Sequence, residues 1–332
     1  MPQNFYELVW IFIIYAFFGW CVEVAYAALN TGKFVNRGFL NGPYCPIYGC
    51  GVVIVVAALT PLKENFWILF LGSFVLTTVL EYITGFVLEK VFHNKWWDYS
   101  DVPFNIQGYV CLKFSIMWGL ACVFVMKIVH PAIYKFITVI PYVLGVVLLV
   151  IIMTGFFVDL GVTISTILKF NKRLKLMEEM AQKMHELSDE IGENIFESVT
   201  TVKEKSEEVQ GKAEELREKL EERTEDIKED IKELPEVAKS KINEKKQETR
   251  EALAESILET KTEIEYRKEM ARKEYEELKE KYKNLLEERN AGFKRLVKAF
   301  PGMISRDQNE TLKKYKRYFE EKFKGEDENN GK

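Results

Sequence analysis

Apolar residues fill long blocks in the first half of the chain and recur at helical spacing in the second half. The blocks cover residues 5–28, 46–61, 66–90, 109–130 and 138–168. A helix of about 20 apolar residues crosses a hydrocarbon core of about 30 Å. The pattern therefore predicts an all-α fold with a bundle of about five transmembrane helices. The second block is short, and the fifth is long enough to project beyond the bilayer.

Charge divides the chain near residue 169. Residues 1–169 hold 17 charged side chains and residues 170–332 hold the other 79. The first part is too apolar for a soluble domain, and the second has too little apolar surface for a globular core. We predict a transmembrane domain over residues 1–168, a charged helical coiled-coil region over 169–300, and a basic amphipathic segment with a polar tail over 301–332.

The charged region has the pattern of long helices. The 4-3-4-3 spacing of a coiled coil is clearest at Ala271, Tyr275, Leu278, Tyr282 and Leu285. Pro235 interrupts the pattern between two arms of similar length. The arms permit an antiparallel hairpin that leaves the membrane and returns to it, and a single bent rod remains an open alternative.

The stretch "GFKRLVKAF", residues 292–300, has the pattern of a basic amphipathic helix. Apolar side chains fall on one helical face, and Lys294, Arg295 and Lys298 fall on the other. Such a helix suits the surface of an anionic leaflet, so these three cations are membrane-surface candidates.

Lysine and arginine residues between the apolar blocks indicate the orientation. If the C-terminus is cytoplasmic, the inner segments hold eight of these cations and the outer segments hold three. Cytoplasmic loops carry the excess of Lys and Arg. We therefore predict a multi-pass protein of the inner membrane with its N-terminus outside and its C-terminus in the cytoplasm.

Two connections on the predicted cytoplasmic side combine turn residues with aromatic ones. They are "NRGFLNGPYCPIYGCG", residues 36–51, and "HNKWWDYSDVPFNIQG", residues 93–108. Irregular backbone near a membrane needs protein or a water-filled cavity around it, so these connections are consistent with a cavity entrance. An interfacial aromatic belt is the open alternative. The candidates for the cytoplasmic mouth are Arg37, Asn41, Tyr44, Trp97, Asp98 and Asp101.

Four ionisable residues fall within the predicted spans: Glu23, Glu81, Lys113 and Asp159. A charge at the bilayer centre costs about 2.5–3.5 kcal/mol on insertion scales, so such residues pair or line a polar path. We consider them candidates for one substrate path. The alternative is that Lys113 pairs with one acid for structural reasons.

A weak internal repeat accompanies these acids. A shift of 66 residues aligns Gly19 with Gly85 and Glu23 with Glu89. The repeat is in register with the predicted topology, so the hairpins of spans 1–2 and 3–4 are candidates for parallel repeats of the kind found in transporters.

Several stretches of the first half resemble the CmpB-type family of ABC-transporter permeases over residues 5–150. They are "FFGWCVEVAY", "KFVNRGFLNGPYCPIYG", "LTTVLEYITGFVLEKVF", "WWDYSDVPFNIQGYVCLKFSIMWG" and the His-Pro pair at 130–131. The resemblance implies a bacterial integral membrane protein that serves as a permease component.

The motifs narrow the expected chemistry. The sequence has no P-loop, HExxH or GxSxG motif and no CxxC pair. We therefore expect no enzyme activity, cofactor, metal site or nucleic-acid partner, although an intramembrane enzyme that uses the buried acids stays open.

The expected function is a permease subunit with a polar cavity open to the cytoplasm. Its expected partners are the lipid bilayer and an ATPase on a separate chain, with a further copy or another protein bound through the coiled coil. The alternative is a membrane-anchored coiled-coil scaffold without transport activity.

Overall fold

The computed structural model describes residues 4–226, 236–288 and 290–329. The protein is 82% helical with very little sheet, which confirms the predicted all-α fold. It forms two compact units: Met1–Glu178 together with Leu286–Lys332, and Glu179–Leu285. The domain divisions predicted at residues 168 and 300 stay predictions.

The first unit contains the apolar helices. In chain order they are α1 (Phe5–Thr31), α2 (Pro46–Leu59), α3 (Phe66–Phe92), α4 (Leu112–Phe124), α5 (His130–Val139) and α6 (Tyr142–Asp226).

Four segments are long and apolar enough to cross a membrane, namely Phe5–Thr31, Phe66–Phe92, Leu112–Val139 and Tyr142–Thr201. The second predicted span is the shorter apolar helix Pro46–Leu62. The fourth span is longer than predicted because a π-helical turn, Val125–Val129, joins α4 to α5.

The ends of these helices follow local sequence rules. The Asn4 side chain caps α1 by accepting a hydrogen bond from Glu7 N at 3.0 Å. Asn65 caps α3 in the same way by accepting from Trp67 N at 3.0 Å. Both satisfy backbone N–H groups that have no partner within a helix. Pro46 is the first residue of α2, a position at which its missing N–H costs nothing.

The apolar faces of α1 to α6 enclose the main core. Its most deeply buried members include Ile11, Val56, Leu69 and Met126. A smaller cluster contains Ile13, Phe156 and Leu40. In the structure the first connection runs from residue 32 to residue 45, between α1 and α2. It contains Leu40, so it inserts an apolar side chain between α1 and α6.

Aromatic side chains of the connections also pack inside the protein. Phe39 packs edge-on against Trp96 of the second connection (residues 93–111), with ring centroids 5.4 Å apart. Trp96 is only 4% exposed. The connections are therefore packed layers of the first unit, and Trp96 is not part of an interfacial belt.

The chain returns to these connections after residue 290. This return segment (residues 290–329) contains α8 (Ala291–Ala299), the short strand β4 (Ile304–Ser305) and α9 (Asn309–Asn329). β4 pairs antiparallel with β1 (Asn94–Lys95) of the second connection. Just beyond this pair, Arg306 N donates to His93 O at 2.8 Å. A second two-stranded ladder, β2 (Asn105–Ile106) with β3 (Val110–Cys111), closes the second connection on itself.

Aromatic contacts fix the return segment on α6. The ring of Phe170 on α6 lies 5.2 Å from that of Phe293 on α8 and 5.6 Å from that of Tyr315 on α9. Tyr315 is fully buried. The apolar face of α8 therefore packs on protein.

The second unit consists of the later part of α6 and most of α7 (Glu236–Glu287). Lys183 on α6 forms an ion pair with Glu274 on α7. The pKa of Arg267 on α7 is raised, first by Glu263 of its own helix and further by Glu197 and Glu190 of α6.

Residues later in α6 thus contact residues earlier in α7, as expected for two antiparallel helices. Pro235, the predicted break, lies outside the described residues, so the hairpin as a whole stays a prediction.

The contact between α8 and α6 gives a test of the docked return segment. A Cβ on Gly292 would lie 2.7 Å from Thr166 Cγ2, closer than side chains pack. We expect Gly292→Val to weaken docking by about 1–3 kcal/mol through overpacking. Hydrogen exchange of residues 290–329 measures the loss as faster exchange.

Gly302→Val is the matched control because a Cβ at Gly302 meets nothing within 4 Å. Equal exchange rates in the two variants would show that α8 does not pack closely on Thr166.

Candidate functional site

The first polar contact joins α1 to α2. The ring of Tyr48 lies directly on Gly19, so closely that a Cβ there would clash with it. The Tyr48 hydroxyl donates to Glu23 Oε1 at 2.6 Å. Gly19 and Glu23 are four residues apart and share one helical face. A glycine that receives the ring and a glutamate that receives the hydroxyl thus form one unit.

The second helical hairpin contains the same unit. A Cβ on Gly85 would lie 2.9 Å from Tyr109 Cδ1. The Tyr109 hydroxyl donates to Glu89 Oε2 at 2.7 Å. Gly85 and Glu89 are the residues that the 66-residue shift aligns with Gly19 and Glu23. The tyrosine differs in origin, because Tyr48 lies on α2 and Tyr109 lies in the second connection.

Glu23 also has a cationic partner. Its Oε2 atom lies 3.4 Å from Arg37 Nε of the first connection. The Arg37 guanidinium stacks over the ring of Tyr26, 5.2 Å from its centroid. The predicted mouth residue Arg37 and the predicted path residue Glu23 are thus brought together as an ion pair.

Glu81 is the most enclosed acid of the predicted path, with 8% of its surface exposed. Its Oε1 atom is 3.4 Å from the hydroxyl of Tyr99. The ring of Tyr99 stacks on Phe114 at 4.8 Å, and that of Tyr48 packs on Trp118 at 5.4 Å.

Phe114 and Trp118 are one turn apart on α4, so the two tyrosines approach from the same side. We call Glu23, Tyr48, Glu81 and Tyr99 the carboxylate centre.

The electrostatics of Tyr99 connect the two acids of this centre. Burial raises the pKa of the Tyr99 hydroxyl well above its ordinary value, and the charges of Glu81, Cys111 and Glu23 raise it further. Tyr99 therefore stays protonated at neutral pH and serves as a neutral hydrogen-bonding group near both carboxylates.

Asp159 belongs to a different cluster. Its Oδ1 atom accepts from Asn41 N at 3.2 Å and from Asn41 Nδ2 at 2.9 Å, and its Oδ2 atom accepts from Gly42 N at 2.7 Å. The Thr163 hydroxyl, one turn away on α6, adds a weaker contact at 3.4 Å. Asp159 thus holds the first connection by accepting hydrogen bonds from Gly42 and from Asn41, one of the predicted mouth residues.

Arg295 of α8 holds the same connection from its other side. Its Nη1 atom donates to Gly38 O at 2.9 Å and Leu40 O at 2.6 Å, and its Nη2 atom donates to Phe39 O at 2.8 Å. Burial lowers the pKa of Arg295, and the charge of Asp159 opposes that shift. Arg295 was a predicted membrane-surface residue, and in the structure its guanidinium group donates to three consecutive carbonyls of the protein.

Lys113 does not join the acids. Its side chain is exposed, and its Nζ atom lies over the ring of Phe114, 5.8 Å from the centroid. Among the residues described, no ion pair links it to Glu23, Glu81 or Asp159. The structure thus places Glu23 and Glu81 in the carboxylate centre, Asp159 with the first connection, and Lys113 beside Phe114, while the single substrate path through all four residues stays a prediction.

The remaining predicted residues have local roles. Trp97 Nε1 donates to Tyr109 O at 2.8 Å, and the ring of Tyr44 packs against Phe156 at 5.9 Å. Asp98 accepts from the Ser100 hydroxyl at 2.6 Å. Asp101 and Lys298 are exposed, and Lys294 is partly buried on α8.

Arg173 is a buried residue whose role was not predicted from the sequence, where it was only one of the cations that indicate the membrane orientation. It is 5% exposed, and its Nη2 atom donates to Glu288 O at 3.2 Å. Its guanidinium also lies over the rings of Phe293 and Tyr315, at 5.3 and 5.9 Å. The flanking cations in "NKRLK" gave no signal that this one is buried.

The spanning helices and the acids enclosed among them define a polytopic helical membrane protein. The family model described as "Putative ABC-transporter type IV" matches residues 10–164. This match confirms the resemblance and covers both connections and the carboxylate centre. The return segment and the second unit lie outside the matched range. No curated protein and no solved structure matches the chain.

The clamp on the first connection can be tested at Cys45, a buried residue at the end of that connection. Burial raises the pKa of its thiol to about 12, so it reacts slowly while the connection is closed. A hydrogen bond to a charged group contributes about 1.5–3 kcal/mol. We expect Arg295→Met to raise the maleimide labelling rate of Cys45 about tenfold or more, measured in protein with Cys45 as its single cysteine.

Lys298→Met removes the same charge from the same helix at an exposed position, and it should change the rate by less than about twofold. Equal labelling rates in the two variants would contradict the clamp.

Proposed function

We propose that the protein is the membrane component of an ABC-type transport system, with the carboxylate centre on the substrate path. The observation that carries the proposal is the family match over residues 10–164, which includes Glu23 and Glu81. Acids enclosed by spanning helices are costly and mark polar pathways in membrane proteins. The substrate path opens as a polar cavity toward the two connections.

In this proposal the connections face the cytoplasm of a bacterium and the N-terminus lies outside the inner membrane. The positive-inside rule supports this orientation. The docked return segment adds support, because it brings Lys294, Lys298 and Arg306 to the side that already holds Lys33, Lys90 and Lys95.

The energy source is a separate ATPase chain. The sequence has no P-loop of its own, and an ABC-type permease works with an ATPase. The connections and the return segment are the parts that such a chain would reach from the cytoplasm. The protein itself needs no catalytic residue or cofactor for this role.

A second candidate function is a membrane-anchored scaffold. It is favoured by the second unit, whose two helices form an ion pair and bury Leu187 and Ile264. The same unit exposes Phe196, Val199 and Leu258, which is unusual for a charged helical pair. A further copy of the chain or another protein bound through this coiled coil would then be the working partner.

Affinity purification of the full-length protein from lipid-containing detergent, followed by mass spectrometry, separates the two functions. The transport function predicts that an ATPase copurifies with full-length protein. It also predicts that the ATPase is retained when residues 179–285 are replaced by a short Gly/Ser linker, because the family match lies in the first unit.

A short linker can join residues 178 and 286 because the chain segments on either side of the deletion are in contact. Arg173 contacts Glu288, and Glu178 contacts Thr311. Recovery of non-ATPase partners alone, all lost in the linker variant, would contradict the transport function and support the scaffold.

A further inference from the structure

Glu81 differs from the other enclosed acids in what surrounds it. It is 8% exposed, and its Oε1 atom accepts from the Tyr99 hydroxyl at the long distance of 3.4 Å, while the Trp118 side chain is a second, weaker donor to the carboxyl group. Its Oε2 atom has no hydrogen-bond partner among the described residues. Asp159, in contrast, accepts several N–H groups, and Glu23 has Arg37 and Tyr48.

No cation in the described part of the chain compensates a charge on Glu81. Arg37 is paired with Glu23, and Lys113 is exposed and turned to Phe114. Lys95 of β1 is 3.9 Å from Asp98 and lies over the ring of Tyr109.

The other groups that face Glu81 from neighbouring elements carry no positive charge. Tyr99 of the second connection and Trp118 of α4 contact its carboxyl group. Tyr99 in turn lies near Glu23 of α1, Tyr48 of α2 and Cys111 of β3.

A buried carboxylate with no cation and an unpartnered oxygen is strongly disfavoured, because its lost hydration is not replaced. Binding of a proton to one carboxyl oxygen of Glu81 removes the negative charge, and a proton is small enough to bind without rearranging the surrounding side chains. Once protonated, Glu81 can donate its hydroxyl to the oxygen of Tyr99, so the existing contact is kept with donor and acceptor exchanged.

We propose that Glu81 is a proton-binding site and holds a proton at neutral pH, while Glu23 forms its ion pair with Arg37. Arg37 and Glu23 cancel each other, so the centre is neutral with the proton bound and carries one negative charge once the proton leaves. Release of this proton creates an anionic site enclosed by the helices, which a cationic substrate or a returning proton neutralises. The use of the proton in transport rests on the function proposed above, whereas the proton site itself does not.

Infrared spectroscopy of the full-length protein in lipid nanodiscs tests the site directly. A protonated carboxylic acid has a carbonyl band distinct from that of a carboxylate, and uniform ¹³C-glutamate labelling assigns the band to Glu. At pH 7 we expect this band in the wild-type protein and its loss in Glu81→Gln. Glu89→Gln is the matched control because Glu89 lies on the same helix, bonded to Tyr109, and the band should persist there.

Tyr99→Phe provides a second variant that leaves the carboxyl group in place. We expect the band to remain and to shift in frequency, because the hydroxyl of Glu81 loses its acceptor. Absence of a Glu81-dependent band at pH 7 in correctly folded protein would overturn the proposal. A band present in protein that recruits no ATPase would leave the proton site standing and count against the transport function alone.

Discussion

Five consecutive residues of the first connection, 38–42, are held between a cation and an anion from distant parts of the chain. The carbonyls of residues 38, 39 and 40 accept from Arg295, and the amides of residues 41 and 42 donate to Asp159. Irregular backbone beside a membrane must have every polar group satisfied. Arg295 donates to these carbonyls from α8, which packs on α6 through Phe293, and the same return segment pairs β4 with β1.

The three acids Glu23, Glu81 and Asp159 differ in the groups that replace the lost hydration of their carboxyl oxygens. Asp159 is stabilised by N–H groups, and Glu23 by a guanidinium and a phenol. Both acids therefore hold a neighbouring segment in place through their hydrogen bonds. Glu81 has one long hydrogen bond from Tyr99 and a weaker one from Trp118, and its Oε2 atom has no hydrogen-bond partner within the part of the chain that the structure describes. Because a structural acid would have its full set of donors, Glu81 is the one whose charge state is free to change.

The repeated unit of glycine, glutamate and tyrosine shows how the two helical hairpins share one packing device. In each, the glycine lets an aromatic ring contact the helix, and the glutamate one turn later fixes the hydroxyl. The 66-residue shift found the glycines and glutamates because they lie on corresponding helices. The shift does not align the two tyrosines. Tyr48 lies on a helix and Tyr109 lies in the second connection, so the two are not at equivalent positions along the sequence.

The sequence by itself determined the features that depend on local rules. Apolar runs of membrane-spanning length predicted the helices, and Pro and Asn residues mark several of their ends. The charges at membrane depth made Glu23, Glu81, Lys113 and Asp159 candidates for a polar path, which stays a prediction.

Tertiary structure decided what those residues contact. The apolar face of α8, with Phe293 and Leu296, fits a lipid surface and a protein surface equally well, so its pattern could not show that it covers the first connection. Arg295 and its carbonyl partners are about 250 residues apart, and no periodicity links positions so distant. Only the folded chain brings them together, because the partners of a buried polar group are chosen by three-dimensional proximity and not by sequence spacing.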